Sequence, residues 1–298
     1  MVTLPVPAEL LSLYLLPTSQ PPADPATLAA AALRAHVAPH LRDRAVQLLE
    51  SQLVQVHVDP VSRFPALGAP LLGVFGPRRS QLRVLQTSTH VVAVGHRYQV
   101  GGPAAHQWVG CAVASALTRA LQCPAVDGFV PRLIEHHELD ESLPGPDGVL
   151  PTARWVQVLE SPDEHGYWCT TLGLARFGLP ELQTHDVRPH LAGDWMRVLR
   201  GIGQRLLATW NAEVRALPAA RTVEVPDLLT VSVADVAAAY RREPTGSGVA
   251  EFRLRLDSEA GEEGEAGGAP VFLTTLPPEH FDGSPDDHQA AACAALRG

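Results

Sequence analysis

Residues 170–182 read TTLGLARFGLPEL, an apolar run that two glycines and a proline interrupt. Gly173 and Gly178 stand where the backbone needs a positive φ or a close approach to a neighbour. Pro180 fixes φ and removes a hydrogen-bond donor, which is typical of a turn between two strands. The spacing therefore predicts a structural corner at the end of a buried strand.

The side chains of this corner divide into apolar and charged ones. Phe177 and Leu179 are expected to fill the core, as large apolar residues do next to a buried strand. Arg176 and Glu181 are the only charged residues, and they either pair across the turn or face a partner. A structural role is the favoured interpretation, and both residues remain candidates for an interaction site.

The same residues resemble a block found in a bacterial family of unknown function, Thr-x-Gly-Leu-x-x-Phe-Gly-Leu-Pro-Glu-Leu. The resemblance extends over residues 83–215 in the order of helices and strands. It implies an intracellular bacterial α+β protein, and it implies no catalytic residues.

Strand-forming residues recur along the chain, over residues 82–85, 89–94, 125–135, 154–160 and 181–187. No helix is predicted between the last three, and consecutive strands of this kind favour an α+β fold over a doubly wound parallel sheet. We expect a mainly antiparallel sheet covered by long helices. A division into two sheet–helix subdomains stays open.

The covering helices have clear start signals. Asp24 and Pro25 suit the N-cap and the first helical position, and Ser232 begins a second helix as its N-cap. An apolar stripe at helical spacing follows Pro103, and a long helix follows Pro189. These helices are expected to bury one face against the sheet.

Composition along the chain suggests four regions. Residues 1–80 form an N-terminal strand–helix–strand region, and residues 81–256 form the central α+β core. Residues 257–270 are nearly all Gly, Glu and Ala, which predicts a flexible acidic loop. Residues 271–298 are expected to supply a C-terminal strand and a tail.

Net charge and lysine content exclude several functions. The chain has 298 residues and a formal net charge of −9, which argues against general binding to nucleic acids or anionic membranes. All 23 cationic side chains are arginines, so no Schiff-base lysine or P-loop lysine operates here. No apolar run reaches the ~20 residues of a membrane span.

Cysteine usage indicates a reducing compartment. Cys111, Cys123, Cys169 and Cys293 form no Cys-x-x-Cys pair and no zinc-ligand spacing. We expect all four to be buried and free, in a cytoplasmic protein whose N-terminus does not have the charge order of a signal peptide.

His136, His137 and Glu138 form the densest group of metal-ligand side chains, and His185 is a further candidate. Adjacent residues of a strand point to opposite faces, and a helical zinc motif needs histidines four residues apart. The spacing therefore argues against a metal site. We expect no catalytic residue and no cofactor.

Three functions remain open for this sequence. The leading hypothesis is a non-enzymatic interaction or regulatory module with a protein partner, because no catalytic constellation is present. The first alternative is a metal-dependent hydrolase that uses the His136, His137 and Glu138 region. The second is nucleic-acid binding through a local arginine face.

Overall fold

The computed structural model describes residues 1–64, 75–258 and 271–297. Contacts between Cα atoms divide the chain into two compact units. One is Glu9–Gly148, which we call the 9–148 unit. The other combines Met1–Ala8 with Val149–Gly298, and we call it the 149–298 unit. Each has a sheet with helices packed on it, so the protein is α+β.

The helices and strands follow each other in chain order. Up to residue 148 they are β1 (Val2–Pro5), β2 (Leu10–Thr18), α1 (Pro25–His36), α2 (Pro39–Glu50), β3 (Val54–Pro60), α3 (Arg79–Thr87), β4 (His90–Tyr98), α4 (Ala105–Leu121), β5 (Ala125–Asp127), β6 (Leu133–Ile134) and α5 (His136–Ser142). From residue 149 they are α6 (Thr152–Trp155), β7 (Gln157–Pro162), β8 (Tyr167–Leu172), β9 (Glu181–Val187), α7 (Ala192–Ala216), β10 (Thr222–Val225), β11 (Leu228–Ser232), α8 (Val233–Ala239), β12 (Val249–Ser258), β13 (Val271–Leu276) and α9 (Pro285–Ala295).

The 9–148 unit is built on an antiparallel sheet with the strand order β3-β4-β2-β5-β6. Helix α4 packs against β2 and β4, and α1 and α2 pack against α4. Gly110 allows this approach, because a Cβ there would lie 2.7 Å from the hydroxyl oxygen of Ser12. The predicted apolar stripe of α4 is therefore confirmed as a core surface.

The 149–298 unit contains a six-stranded sheet with the order β11-β12-β13-β9-β8-β7. Every pairing is antiparallel except that of β13 with β9. The 25-residue helix α7 packs against strands of this sheet and against α8, and α9 packs against β12 and α7. Strands β1 and β10 form a separate antiparallel pair. Trp195 and Trp210 of α7 are fully buried.

The predicted corner forms as expected. Gly173 and Gly178 have φ values of 123° and 82°, which L side chains rarely adopt, and a short 3₁₀ helix, Leu174–Phe177, lies between them. Phe177 and Leu179 are buried. The N-caps at Asp24 and Ser232 are confirmed too, since their side chains accept hydrogen bonds from the backbone N–H groups of Thr27 and Asp235.

Three strand predictions are wrong. Residues 82–85 lie in α3, residues 125–135 form only the short β5 and β6, and residues 154–160 begin within α6. Side-chain capping by Gln81 at the start of α3, and by Glu138 at the start of α5, competes with the extended conformation. Short apolar runs do not distinguish helix from strand, so helices α5 and α6 interrupt the expected series of strands.

The predicted regions also differ from the observed units. The boundary between residues 80 and 81 falls inside the 9–148 unit, because β3 and β4 pair across it. Residues 257–258 belong to β12, and the rest of the predicted loop, residues 259–270, lies outside the described residues. The expected tail contains α9.

Within residues 1–64, 75–258 and 271–297, no helix has the combination of length and apolar character that a membrane crossing requires.

Candidate functional site

A cavity of about 270 Å³ lies in the 149–298 unit, close to the ends of β9 and β13 and the start of α9. We call it the α9 cavity. Five apolar or aromatic side chains and eight polar or charged ones line it, a combination that can hold an apolar body and orient it by hydrogen bonds. The lining residues are Thr184, His185, Asp186, Trp195, Phe252, Arg255, Thr274, Thr275, Leu276, Pro277, Pro285, His288 and Gln289.

The threonines of the cavity are engaged in hydrogen bonds with the sheet. The hydroxyl groups of Thr184 and Thr275 bond to each other, and Thr275 also lies 3.3 Å from the carbonyl oxygen of Gln183. Thr274 accepts a 2.9 Å hydrogen bond from the Gln183 amide and donates a 2.6 Å bond to Asp257. These bonds hold β9 and β13 together at the cavity.

Arg255 and Asp257 form a bidentate ion pair beside the cavity. The Nε and Nη2 atoms of Arg255 lie 2.7 and 2.9 Å from the two carboxylate oxygens of Asp257. The hydrogen bond from Arg255 holds the pKa of Asp257 below its usual value, with a further contribution from Thr274. The charge of Arg255 is thus compensated within the protein.

His185, a candidate from the sequence, is oriented by a carboxylate. Its Nδ1 atom lies 3.0 Å from Oδ2 of Asp163, and its ring stacks on Trp168 with the centroids 6.3 Å apart. The pKa of Asp163 is lowered first by the backbone N–H of Glu164 and then by the His185 hydrogen bond. Asp186, the next residue, has φ 57° and is exposed.

His288 is buried between two aromatic rings. Phe252 and Phe281 meet it edge-on, with the ring centroids 5.4 and 5.1 Å from that of the imidazole. Its Nε2 atom lies 2.9 Å from the carbonyl oxygen of Glu251, which can only accept, so Nε2 carries the proton. Burial lowers the pKa of His288. The ring is therefore neutral at pH 7.

Two buried side chains of the cavity each have one polar atom without a hydrogen-bond partner among the described residues. They are Nε1 of Trp195, a donor, and Oε1 of Gln289, an acceptor. Trp195 is 1% exposed and Gln289 is 4% exposed. Buried polar atoms of native proteins are almost always paired, so these two atoms are the part of the lining whose hydrogen bonds a bound water molecule or a ligand can complete.

The predicted metal candidates belong to two different units. His136, His137 and Glu138 lie at the start of α5 in the 9–148 unit, whereas His185 lies in the 149–298 unit. Glu138 is occupied as a helix cap, since its carboxylate accepts the backbone N–H of Glu135 at 3.0 Å. Within the described residues, no group of three or more His, Cys, Asp or Glu side chains has the arrangement of a metal site.

The interaction candidates are used inside the fold. The carboxylate of Glu181 accepts hydrogen bonds from the backbone N–H groups of Gly173, Leu174 and Ala175, at 2.8, 3.2 and 3.2 Å. Arg176 is 4% exposed and lies over the ring of Trp155, 5.0 Å from its centroid. Both side chains stabilise the corner, and their placement does not support a docking role.

Of the residues of the α9 cavity, sequence reasoning identified His185 alone as a candidate, and for a metal site. Trp195 lies in the long helix expected after Pro189, and His288 and Gln289 lie in the expected tail. One signal was available, because Ser284 and Pro285 followed by Asp287 suit the N-cap, first position and capping box of a helix. That signal locates α9 but not its contact with the sheet.

In comparisons with protein-family models, with curated proteins and with solved structures, nothing matches this chain. The resemblance of residues 170–182 to a bacterial family stays a prediction.

Acidification is expected to destabilise the 149–298 unit through His288. The unfolded chain binds a proton at this residue as the pH falls through about 6.5, whereas the folded protein, whose His288 pKa is lowered, does so only at lower pH. The stability is therefore intact above about pH 6.5 and declines as the pH falls towards the folded pKa. Urea unfolding at a series of pH values measures this slope.

The His288→Gln variant keeps an N–H donor for the Glu251 carbonyl but does not titrate, so a shallower slope is expected. Some slope remains, because burial also lowers the pKa of His96 in the other unit. His165→Gln, in an exposed turn, is the matched control substitution. An unaltered slope in His288→Gln would contradict the assignment.

Proposed function

We propose that the chain is a non-enzymatic regulatory module whose 149–298 unit binds a small molecule in the α9 cavity. One observation carries the proposal: two buried polar atoms of the cavity lining, Nε1 of Trp195 and Oε1 of Gln289, have no hydrogen-bond partner among the described residues. His185 is bound to Asp163, Arg255 to Asp257, and His288 to the Glu251 carbonyl. Arg255 and His288 are thereby held by the fold, whereas the Asp163 bond orients the His185 ring through Nδ1, so recovery of bound molecules unchanged is the result that separates binding from catalysis.

The other reactive groups near the cavity are also poorly suited to chemistry. The hydroxyls of Thr184 and Thr275 bond to each other, and among the described residues no histidine is a hydrogen-bond partner of either. Burial raises the pKa values of Cys169 and Cys293 to about 11, so both are thiols at pH 7 and weak nucleophiles. Nucleophilic catalysis needs an activated group, which supports binding as the function.

Arginine pairing argues against phosphate binding through an arginine face. Carboxylates on the protein bind many of the guanidinium groups, which lowers the positive potential available to nucleic acid. The ion pairs are Arg34–Glu50, Arg63–Asp59, Arg97–Glu9, Arg119–Asp140, Arg188–Asp286, Arg253–Glu279, Arg255–Asp257 and Arg297–Asp194.

The proposal places the protein in the cytoplasm. It includes a protein partner that responds to the ligand-bound form. All four cysteines are free and buried, which suits a reducing compartment. A regulatory module transmits ligand binding to another molecule, so the partner is part of the proposal.

Filling the cavity is expected to abolish binding of small molecules. Leu276 lines the cavity and is only partly buried, so Leu276→Trp adds volume there without replacing a core residue. A fragment library is screened by ligand-observed NMR against the wild type and this variant. Hits that bind the wild type, lose at least about tenfold in affinity in the variant and are recovered chemically unchanged support the proposal.

Leu228→Trp, at an exposed position of β11 outside the cavity lining, is the matched control and should retain the hits. The proposal fails if no fragment distinguishes the two variants. It also fails if the protein converts a bound fragment chemically and Leu276→Trp stops the conversion. That result would show that the cavity is an active site.

A further inference from the structure

We infer that the ligand of the α9 cavity is a small neutral molecule with an amide-type group, which offers one acceptor and one donor. The inference rests on the proposed function and specifies its ligand. Four properties of the site support it: an unpaired donor, an unpaired acceptor of fixed orientation, compensated charges nearby, and an apolar wall of limited volume.

The donor is the indole N–H of Trp195. The ring is held by the helix α7 that carries it and by an edge-on contact with Phe252, whose centroid is 6.0 Å away. Because the ring is held in place, its N–H can form a hydrogen bond only with an acceptor that lies next to it. By contrast, the indole N–H of Trp210, on the same helix, donates to the carbonyl of Phe177 at 3.0 Å.

The acceptor is Oε1 of Gln289. The amide nitrogen of this side chain lies 3.3 Å from the carbonyl oxygen of His185. Exchanging the amide nitrogen and oxygen would place two acceptors against each other, so the observed orientation is the only one that makes a hydrogen bond. Oε1 is therefore an acceptor that needs a donor from the ligand.

The charges around the cavity favour a neutral ligand. Arg255 is compensated by Asp257, His185 is paired with Asp163, and burial keeps His288 neutral at pH 7. An anionic ligand would bury its charge next to Trp195 and Phe252 without a free cation beside it, and burial of an unpaired charge is costly. Asp186, the carboxylate of the lining, is exposed to solvent. A hydrogen-bonding group without net charge avoids this cost.

The remaining wall is apolar, and the volume sets the size of the ligand. Phe252, Leu276, Pro277 and Pro285 offer contacts for an apolar body. A volume of about 270 Å³ corresponds to about nine water molecules, so the site suits a single ring with one polar substituent. Both polar atoms are closed to solvent, so small movements of the cavity side chains must accompany binding.

Benzamide is the probe, because it combines one ring with one amide. N,N-dimethylbenzamide keeps the acceptor and removes the donor, and benzoate keeps the shape and adds a charge. We expect benzamide to bind at least about tenfold more tightly than either, since each comparison removes a hydrogen bond or buries a charge. The readout is the indole N–H resonance that disappears in Trp195→Phe, which should shift during the benzamide titration.

The variant Trp195→Phe keeps an aromatic ring, smaller than the indole, and removes the donor, so benzamide affinity should fall about tenfold. Trp210→Phe makes the same change away from the cavity and should bind benzamide as the wild type does. Without ligand, Trp210→Phe should be the less stable of the two, because it leaves the Phe177 carbonyl unpaired.

The inference is overturned if benzoate or N,N-dimethylbenzamide binds as tightly as benzamide, or if Trp195→Phe does not weaken binding. It is also overturned if the two tryptophan variants are equally destabilised, which would mean that Gln289 or water already satisfies the Trp195 N–H. Fragments that bind in a manner sensitive to Leu276→Trp would leave the proposed function standing in each case. If no small molecule binds the cavity, both fail.

Discussion

Replacing Glu181 with alanine is expected to lower the free energy of unfolding of the 149–298 unit by about 4 kcal/mol. The Glu181 carboxylate accepts hydrogen bonds from three consecutive backbone N–H groups, those of residues 173–175, and a 2.7 Å bond from the Thr171 hydroxyl. Alanine leaves these donors unpaired at a corner whose Leu174 side chain is fully buried. Hydrogen bonds to charged groups are stronger than neutral ones, which explains the size of the loss.

Urea unfolding followed by tryptophan fluorescence measures this effect, because four of the five tryptophans belong to the 149–298 unit. Glu181→Gln retains one acceptor oxygen and should lose about half as much stability. Glu224→Ala, an exposed strand position, is the control and should change stability by less than about 0.5 kcal/mol. A similar small change in Glu181→Ala would show that the corner does not depend on this carboxylate.

The corner illustrates what the sequence could predict. Gly173, Gly178 and Pro180 restrict the backbone directly, so their spacing was sufficient to locate the turn and its buried neighbours. The role of Glu181 was not accessible in the same way. Its side chain has several rotatable bonds, and its partners are backbone groups six to eight residues away, so only the folded path of residues 173–175 brings them together.

The α9 cavity marks the limit of sequence reasoning. The cavity lining comes from four elements spread over nearly a hundred residues, which contribute Trp195, Phe252, Thr275 and Gln289. The sequence pattern of each element alone predicts only that it contributes to the core. Their meeting depends on the parallel pairing of β13 with β9 and on the packing of α9 against β12. Neither contact leaves a local pattern in the sequence, whereas the His136 and His137 pair was conspicuous but lies at a helix start.

Gly201→Ala is expected to destabilise the 149–298 unit by about 2 kcal/mol, whereas Gly203→Ala on the same helix should stabilise it by up to about 1 kcal/mol. A Cβ at Gly201 would lie 2.6 Å from Cγ2 of Val236, which is buried in α8 and has little rotamer freedom. A Cβ at Gly203 would meet Leu174 and Leu182 at 3.8 Å, an ordinary contact. Alanine therefore gains helix propensity at both positions but creates a clash only at Gly201.

The double variant Gly201→Ala with Val236→Ala tests this cause, because removing the Val236 methyl groups relieves the clash. Val236→Ala alone leaves a cavity and should be destabilising, yet its cost should be smaller when alanine occupies position 201. A double-mutant cycle by urea unfolding measures the coupling between the two sites. The explanation is contradicted if the changes in the free energy of unfolding are strictly additive, or if alanine has equal effects at positions 201 and 203. Either result would mean that α7 and α8 can separate without cost and that the close contact at Gly201 does not limit their packing.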